Sequence, residues 1–417
     1  MDLNLRARLS QFLTALQREL FPMVEADLGE PLTAPLQRLI RIWELIGIER
    51  FVPPSRGEVG RPPRERHALA RAFVAKTVLN LPTTVALVER LQVDTVLRRL
   101  CGFDMRRNLP GEHLFSRAFA QFAELGLASQ AHEDLIKSEL SGQLIGHIAQ
   151  DSTAIVAREK PAKKVKEAVN QALASPPPTL EQAWTAGWTG WQGPQGLLFP
   201  LQVRHPEPAG DEPSAAPPPR KRGRPRKGEQ APSPPPTRIE RQAAGLSLEA
   251  MLAELPTVCD VGTKKNSQGY KHSWIGYKLH LDVADGQIPI SAVVTSASVH
   301  DSQVSIPLTK MTAERVTSLY ELKDSAYCSP VIRQFSSDLG HVPLIDHNPR
   351  KGEKIEFAPH EAERYKTRTQ VERANARLKD EFGADSVRVR GHAKVSLHLM
   401  LGVLVLAADQ LLRLFKT

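Results

Sequence analysis

Apolar residues recur at helical spacing through the first 140 positions. Leu36, Leu39, Ile40, Trp43 and Ile46 fall three or four apart, as do Leu87, Val88 and Leu91, which predicts helices that each bury one face. Pro53-Pro54, Pro62-Pro63, Pro82 and Pro110 interrupt the pattern, so these helices are short and joined by tight turns. Beyond them the period changes. Residues 143–155 read as a strand, with Leu144, Ile145 and Ile148 leading to Asp151. Tyr277, Leu279, Leu281 and Val283 then alternate, and a second run at 288–294 follows the turn Asp285-Gly286, which together predict a hairpin. Pro289 has no N–H to donate, so one side of that second strand should start unpaired. A strand at 317–324, a helix at 330–339, a strand at 341–345 and a helix carrying Glu372 complete the series. Three strands followed by alternating strands and helices describe a mixed α/β sheet behind an all-helical N-terminal region. The most apolar run, 397–406, contains His398 and is followed by Asp409 and Arg413. It reads as a buried helix too short to span a bilayer.

The stretch from 158 to 268 is too long for a turn and reads as an insertion. Its middle, 205–237, holds 11 of the 33 prolines and almost nothing apolar, so a long disordered, partly extended linker is expected there. The expected division is therefore a helical DNA-binding or assembly region at 1–140, an α/β domain at 141–157 and 269–417, and the insertion between its two parts. Within the linker, Arg220-Lys221-Arg222-Gly223-Arg224-Pro225-Arg226-Lys227 places six cations around a Gly-Arg-Pro core, like an AT-hook. Pro225 keeps the backbone extended, Gly223 removes bulk, and Arg222, Arg224 and Arg226 could lie in a narrow A·T minor groove. A solubilising charge run is the competing reading. Trp184, Trp188 and Trp191 recur at helical spacing, as a packing stripe or as a platform for an unstacked base.

A chain of 417 residues that is 41% hydrophobic has room for two or three domains and at least one full core. Its formal charge of +9 favours a polyanionic partner. Arg98, Arg99, Arg106, Arg107 and Arg117 recur between the early helices, as they would in a basic helix-turn-helix or an ordinary helical assembly domain. Cys101, Cys259 and Cys328 are odd in number and widely separated, which offers no disulfide framework and fits a reducing cytoplasm. The opening MDLNLRARLSQFL mixes charges with apolar residues and predicts no secretory signal.

Tyr365, Arg368, Glu372 and Lys379 carry the sharpest chemical signal. At about 100° per residue their side chains share an arc of roughly 60° on one helix face. Core packing would place Leu or Val there; a phosphate-and-metal surface would want this set. A solvated charged face is the bland alternative. Arg368 offers a planar fork for phosphate, Lys379 a mobile point charge, and Tyr365 a hydrogen bond or a stacking face. Upstream acids extend the pattern. Phosphodiester chemistry is well served by two divalent ions roughly 4 Å apart held by a few carboxylates. Asp151 in the first strand, Asp324 at the end of a later one and Glu372 on the late helix could converge on such a site. Asp301 reads as a helix N-cap, and Asp346 and His347 as turn-shaping residues, so these three stay outside the set.

With these residues in view, the chain resembles the DDE transposases of bacterial insertion sequences, in the subgroup marked by Tyr-x2-Arg-x3-Glu-x6-Lys. Residues 365–379 match that motif at every fixed position. Arg158-Glu159-Lys160-Pro161, Gly276-Tyr277-Lys278-Leu279-His280, Ser298-Val299-His300-Asp301-Ser302 and Pro343-Leu344-Ile345-Asp346-His347-Asn348-Pro349-Arg350 resemble further family segments. The resemblance covers most of residues 100–410 outside the linker. It implies an RNase H-like domain in which Asp151, Asp324 and Glu372 bind two Mg²⁺ ions, or Mn²⁺ in their place, while Tyr365, Arg368 and Lys379 hold the transposon end. It further implies cleavage that exposes a 3′-OH, followed by attack of that hydroxyl on target DNA. The implied partners are double-stranded DNA, as terminal repeats and as target, and a second copy of the chain in a homodimeric complex, with no membrane. The implied location is the bacterial cytoplasm, on the nucleoid. Ser325 departs from the family, which usually has Gly or a small apolar residue after the second acid, and this leaves the tightness of that turn open. A catalytically inactive DNA-binding descendant and a plain metal-dependent nuclease are the alternatives.

Overall fold

The computed structural model describes residues 3–54, 66–161, 235–265, 268–349 and 353–414. Pro62-Pro63, the basic run with Arg222, Arg224 and Arg226, and Trp184, Trp188 and Trp191 lie outside the described residues.

The N-terminal helices are α1 Leu3–Ala15, α2 Phe21–Leu28, α3 Ala34–Ile46, α4 Arg66–Val78, α5 Thr84–Val93, α6 Thr95–Leu100, α7 Glu112–Glu124 and α8 Leu127–Leu140. Helix α3 shows why they form. It has Pro35 in its first turn, and Leu36, Leu39, Ile40, Trp43 and Ile46 are all buried, as the spacing predicts. It stops at Gly47, whose φ of +55 lets its N–H close on the Trp43 carbonyl at 2.8 Å. Thr83 and Asp94 cap α5 and α6 by accepting the N–H groups of Ala86 (3.0 Å) and Leu97 (2.9 Å). Edge-on contacts of Phe73 with Phe115, Phe119 and Phe122, at 5.9, 5.0 and 6.2 Å between ring centres, lock α4 against α7.

Among the described residues the sheet has six strands: β1 Leu144–Val156, β2 Asp260–Lys265, β3 Lys271–Ala284, β4 Ile288–Ser296, β5 Thr317–Lys323 and β6 Val342–Ile345. β1 is central. β3 runs antiparallel to it with Asp151 opposite Leu281, and β4 runs antiparallel to β3. On the other side β5 and then β6 run parallel, with Gln150 opposite Lys323 and Lys323 opposite Ile345. The order β4-β3-β1-β5-β6, antiparallel on one flank and parallel on the other, is the RNase H-like arrangement. β2 pairs with the first half of β3. Pro289 faces Val283 beside a register shift, and β4 pairs with β3 alone among the described strands, so the proline sits at an edge. Gly276 of β3 stands opposite Val156 of β1. Its φ is +153, and a Cβ there would lie 2.1 Å from the Ile155 carbonyl oxygen, so no other residue fits.

Two groups of helices cover the sheet. α9 Arg238–Ala243, α10 Leu248–Ala253, α11 Ser302–Ala313 and α12 Pro330–Asp338 pack with one another, and α11 lies on β3 and β4. α13 Pro359–Tyr365, α14 Thr369–Asp380 and α15 His392–Arg413 follow β6. α14 packs on β1 and β3, and α15 lies on β4 while also touching α3, α4, α7 and α8. One helix thus joins the helical region and the sheet in a continuous core.

The structure revises two expectations. α9, α10 and β2 fall inside the range 158–268 and pack with the sheet domain. The apolar run at 397–406 is the middle of a 22-residue helix that is long and apolar enough to cross a membrane, but 89% of that helix's most apolar window is buried within the protein. The helix outruns its apolar stretch because Asp409 is neutralised inside, by Arg38 at 2.8 Å, Arg377 at 2.7 Å and Arg413 at 2.8 Å.

Candidate active site

Strand register brings the first two predicted acids together. β5 ends at Lys323, opposite Gln150 of β1, so Asp324 emerges beside Asp151 at a neighbouring-strand spacing of about 4.8 Å between backbones. Asp324 leaves the strand and accepts the Ala326 N–H at 2.9 Å, capping a short 3₁₀ turn, Ser325–Tyr327. The turn closes normally with Ser325 in it, since the Tyr327 N–H reaches the Asp324 carbonyl at 3.1 Å. Burial pushes the Asp151 carboxyl up to about 6; Asp324 adds to the shift, and the Ser152 N–H, Arg368 and Lys264 oppose it. Burial also raises Asp324, opposed by the Ala326 N–H, Arg368 and Lys264.

The Tyr-Arg-Glu-Lys segment is helical but not one ideal helix. A 3₁₀ turn, Lys366–Arg368, joins α13 to α14. Residues three apart eclipse in such a turn, and the Arg368 guanidinium lies 6.0 Å from the Tyr365 ring centre. Arg368 donates to Glu372 at 2.5 Å. Burial works against its positive charge, but Tyr365, Asp151, Glu372 and Asp324 together more than offset this and hold it cationic. Arg368 thus feels the charge of all three predicted acids. Tyr365 donates its hydroxyl to the Lys323 carbonyl at 3.1 Å, and its ring packs on Phe357. Glu372 has about half of its side chain exposed (52%) and faces Arg368. Lys379, two turns further on, is half-buried and joins no ion pair seen among the described residues.

Side-chain alternation puts Gln150 and Lys323 on the sheet face opposite Asp151 and Asp324, beneath α11. There they enter a buried polar network. Lys323 Nζ meets Glu321 at 2.7 Å, Thr309 at 2.9 Å and Ser305 at 3.1 Å. Ser305 donates to Gln150 at 2.7 Å, and Gln150 and Thr312 donate to Asp282 at 2.8 and 2.7 Å. Glu321 also engages His341, and accepts from Ser336 at 2.7 Å. Burial alone would raise Glu321, yet Lys323 and these hydrogen bonds pull it down to about 2.

Other sequence-predicted residues have distinct places. Asp301 stands at the N-cap position of α11 without making a cap bond. It accepts from Lys278 Nζ at 2.9 Å and from Ser152, with His280 Nδ1 4.0 Å away. In place of the expected cap bond, Asp301 forms an ion pair with Lys278 of the Gly276–His280 segment. Asp346 pairs with Lys354 at 3.2 Å, and His347 accepts the Ile355 N–H at 3.2 Å, both within one loop. Arg98 is buried, its guanidinium spent on the Leu91 and Gln92 carbonyls, and Arg99 pairs with Asp27 at 3.1 Å. Arg106, Arg107 and Arg117 are exposed. The sequence reading missed Lys264, because the short polar strand β2 has no apolar alternation to reveal it. It also passed over the buried network, although Asp282, Glu321 and Lys323 inside predicted strands were a signal in themselves.

Among the described residues no three His, Cys, Asp or Glu side chains stand close enough to hold an ion together. Asp151 and Asp324 are nonetheless hard oxygen donors on adjacent strands, which fits Mg²⁺, an ion that needs few protein carboxylates beside water and phosphate oxygens.

A family model described as "Transposase DDE domain" matches residues 253–407, from the end of α10 into α15, and includes Asp324 and Glu372. A second, "Transposase domain (DUF772)", matches residues 25–121 in the helical region. No curated protein and no solved structure matches the chain. With two transposase models in order along it and an RNase H-like sheet under the second, this chain belongs to the DDE transposases of insertion sequences and is a DNA transposase.

Proposed function

We propose that Asp151, Asp324 and Glu372 are the catalytic carboxylates of this transposase, within the subgroup named by Tyr365, Arg368, Glu372 and Lys379. What supports this reading is that Asp151 and Asp324 come from neighbouring strands while Arg368, which donates to Glu372 at 2.5 Å, feels the charge of all three. Enzymes of this family use a divalent metal; two Mg²⁺ ions, replaceable by Mn²⁺, suit the donor set. When bound, the metal supplies the charge that activates an attacking oxygen and stabilises a leaving one. Asp151, within β1, and Asp324, just past the end of the neighbouring β5, would hold it. Glu372 joins them once a phosphate takes over its bond to Arg368, whose planar fork suits either anion. Lys379 grips the transposon end farther along the same helix. Tyr365, whose hydroxyl donates to the Lys323 carbonyl, adds its ring to that surface. Cleavage exposes a 3′-OH, which then attacks target DNA at the same carboxylates.

We further assign DNA binding and assembly to residues 1–140, affinity for A·T-rich duplex to Arg222, Arg224 and Arg226, action as a homodimer, and residence in the cytoplasm beside the nucleoid. The test is cleavage and joining of end DNA in Mg²⁺ or Mn²⁺. Changing Asp151, Asp324 or Glu372 to Ala should abolish both reactions while end binding persists. Normal cleavage by any one variant removes that residue from the site, and cleavage without joined products would identify a plain nuclease.

A further inference from the structure

β2 adds little to the core. It pairs with β3 from Asp260 opposite Gly276 to Lys265 opposite Lys271, whereas β1 ends at Val156, also opposite Gly276. Among the described residues, β2 and the first half of β3 therefore run past the sheet as a two-stranded ribbon. Two strands alone are marginally stable, and this ribbon is anchored at its base. Trp274 is buried and donates its indole N–H to the Tyr277 carbonyl at 3.1 Å. Its ring lies across Gly262, where a Cβ would come within 2.5 Å of it. Beyond that anchor Thr263, Lys264, Lys271, His272 and Ser273 are all exposed.

The register makes the outer half of this ribbon basic. Lys264 stands opposite His272 and Lys265 opposite Lys271, and neither Lys264 nor Lys271 joins an ion pair seen among the described residues. Like charges at directly facing positions cost stability. A polyanion that covers the tip accounts for them, and B-DNA has the matching shape, since its major groove admits a two-stranded ribbon. The place fits as well. β5 runs parallel to β1, so the ribbon leaves the sheet at the end where Asp324 emerges. Its base at Val156 is five residues beyond Asp151 on β1, roughly 17 Å or half a turn of B-DNA. Tyr365 is bonded to β5 on one side of β1 and the ribbon grows from β3 on the other, so Asp151 lies between them.

We propose that the outer half of the β2–β3 ribbon is the surface that captures target DNA, with its lysines on the phosphate backbone. The choice of target over transposon end follows from residue type. Terminal repeats must be told apart from other DNA, and reading bases calls for forked side chains such as arginine. The paired segments 260–265 and 271–275 hold lysines but no arginine, and a lysine is a point charge that suits any backbone. The proposal rests on reading Asp151 and Asp324 as the place where DNA is joined.

The test is binding in chelator, so that no reaction runs. The full chain is saturated with an unlabelled duplex carrying the element's end, and a labelled duplex of unrelated sequence is titrated in across a KCl series. Lys264→Gln, Lys265→Gln and Lys271→Gln together should weaken capture of the unrelated duplex by roughly ten-fold or more and lower the salt slope by about two to three units, one phosphate contact per lysine. Affinity for the end duplex should stay within about two-fold, because the two surfaces are separate. The melting temperature of the free protein should stay level or rise as facing like charges are removed. Replacing the three lysines by arginine should keep capture and slope near the parent values. Unchanged capture and slope in the glutamine variant overturn the proposal. Equal losses for both duplexes also overturn it, by placing the ribbon on the transposon end, and so does loss of capture in the arginine variant, which would make shape rather than charge decisive. Asp151→Ala separates this from the underlying reading: it should capture the unrelated duplex in chelator and join nothing in Mg²⁺. If it joins like the parent, the acids are wrongly assigned, whereas capture in chelator decides the ribbon by itself.

Discussion

The hydroxyl of Tyr365 donates to the main-chain carbonyl of Lys323, 3.1 Å away, so the helical segment that carries Glu372 is tied to the residue directly before Asp324. Two acids far apart in sequence are thereby held in one frame by a third side chain that is itself part of the sequence motif. Tyr365→Phe should cost about 1 kcal/mol of stability, the net worth of one hydrogen bond. Its effect on cleavage should be larger, up to about a hundred-fold, because small misplacements of catalytic groups are expensive. End-DNA affinity should change little. The check is to measure all three on one variant; a large loss of end affinity with normal cleavage by bound complexes would place the hydroxyl on DNA instead.

Asp151 makes metal-free stability depend on pH. Its carboxyl is pushed up to about 6, above its ordinary 3.8, so the folded protein binds this proton more tightly than the unfolded chain does. The contribution is fully favourable below pH 3.8 and is lost as pH rises through about 6. Asp151→Asn removes the cost of burying the charge. The variant should be more stable than the parent at pH 8, by on the order of 2–3 kcal/mol, and nearly equal to it at pH 4. Chemical denaturation with chelator at the two pH values measures this. A stability gain independent of pH would show that the carboxylate is not buried as described.

The network behind the acids predicts a different pH sign. Burial would raise Glu321, but Lys323 together with the hydrogen bonds from His341, Lys323 and Ser336 pulls it down to about 2 from 4.5. Its stabilisation is present above pH 4.5 and lost as pH falls through about 2. Lys323→Met should destabilise by about 3–5 kcal/mol at neutral pH, since it leaves a buried charge without its partner. Adding Glu321→Gln should restore part of that loss. Urea unfolding of the single and double variants gives the coupling, and additive losses would mean that the pair does not interact.

Much of this architecture could be read from the sequence, for reasons that differ from element to element. The alternation of Tyr277, Leu279, Leu281 and Val283 announced β3 because that half of the strand lies between two others and buries every one of these residues. The period of three and four announced α3 because only one of its faces is apolar. β2 stayed hidden: Asp260–Lys265 pairs only along the protruding half of β3, so it needs little apolar content. The ends of α15 were missed because its charges are paired inside the core, which hydropathy cannot show. Of the proposed site, the choice of the three acids rests on their order along the chain and on the spacing of Tyr365, Arg368 and Lys379. Their supports were not legible, since the bonds from Lys278 to Asp301 and from Tyr365 to Lys323 span 23 and 42 residues and exist only once the sheet is assembled.

Arg368, in the 3₁₀ turn before α14, and Lys379, within α14, separate charge from geometry. Arg368 bridges to Glu372 and feels the charge of Asp151 and Asp324, whereas Lys379 lies two turns beyond Glu372. Lysine at position 368 would keep the charge but lose the planar fork and the stacking on Tyr365. Arg368→Lys should therefore behave much like Arg368→Ala in cleavage, with a loss of ten-fold or more, roughly what removing one positioned transition-state contact costs, and end binding should suffer less. Lys379→Ala should do the reverse. It should weaken end binding, lower the salt dependence by about one unit of slope as a single phosphate contact is lost, and leave Mn²⁺ affinity unchanged because a cation is not a ligand. Binding to end DNA across a salt series and cleavage against Mn²⁺ concentration distinguish the two. Full recovery of cleavage in Arg368→Lys would reduce the arginine to a point charge. An unchanged salt slope in Lys379→Ala would take that lysine off the DNA and confine the functional stripe to Tyr365, Arg368 and Glu372.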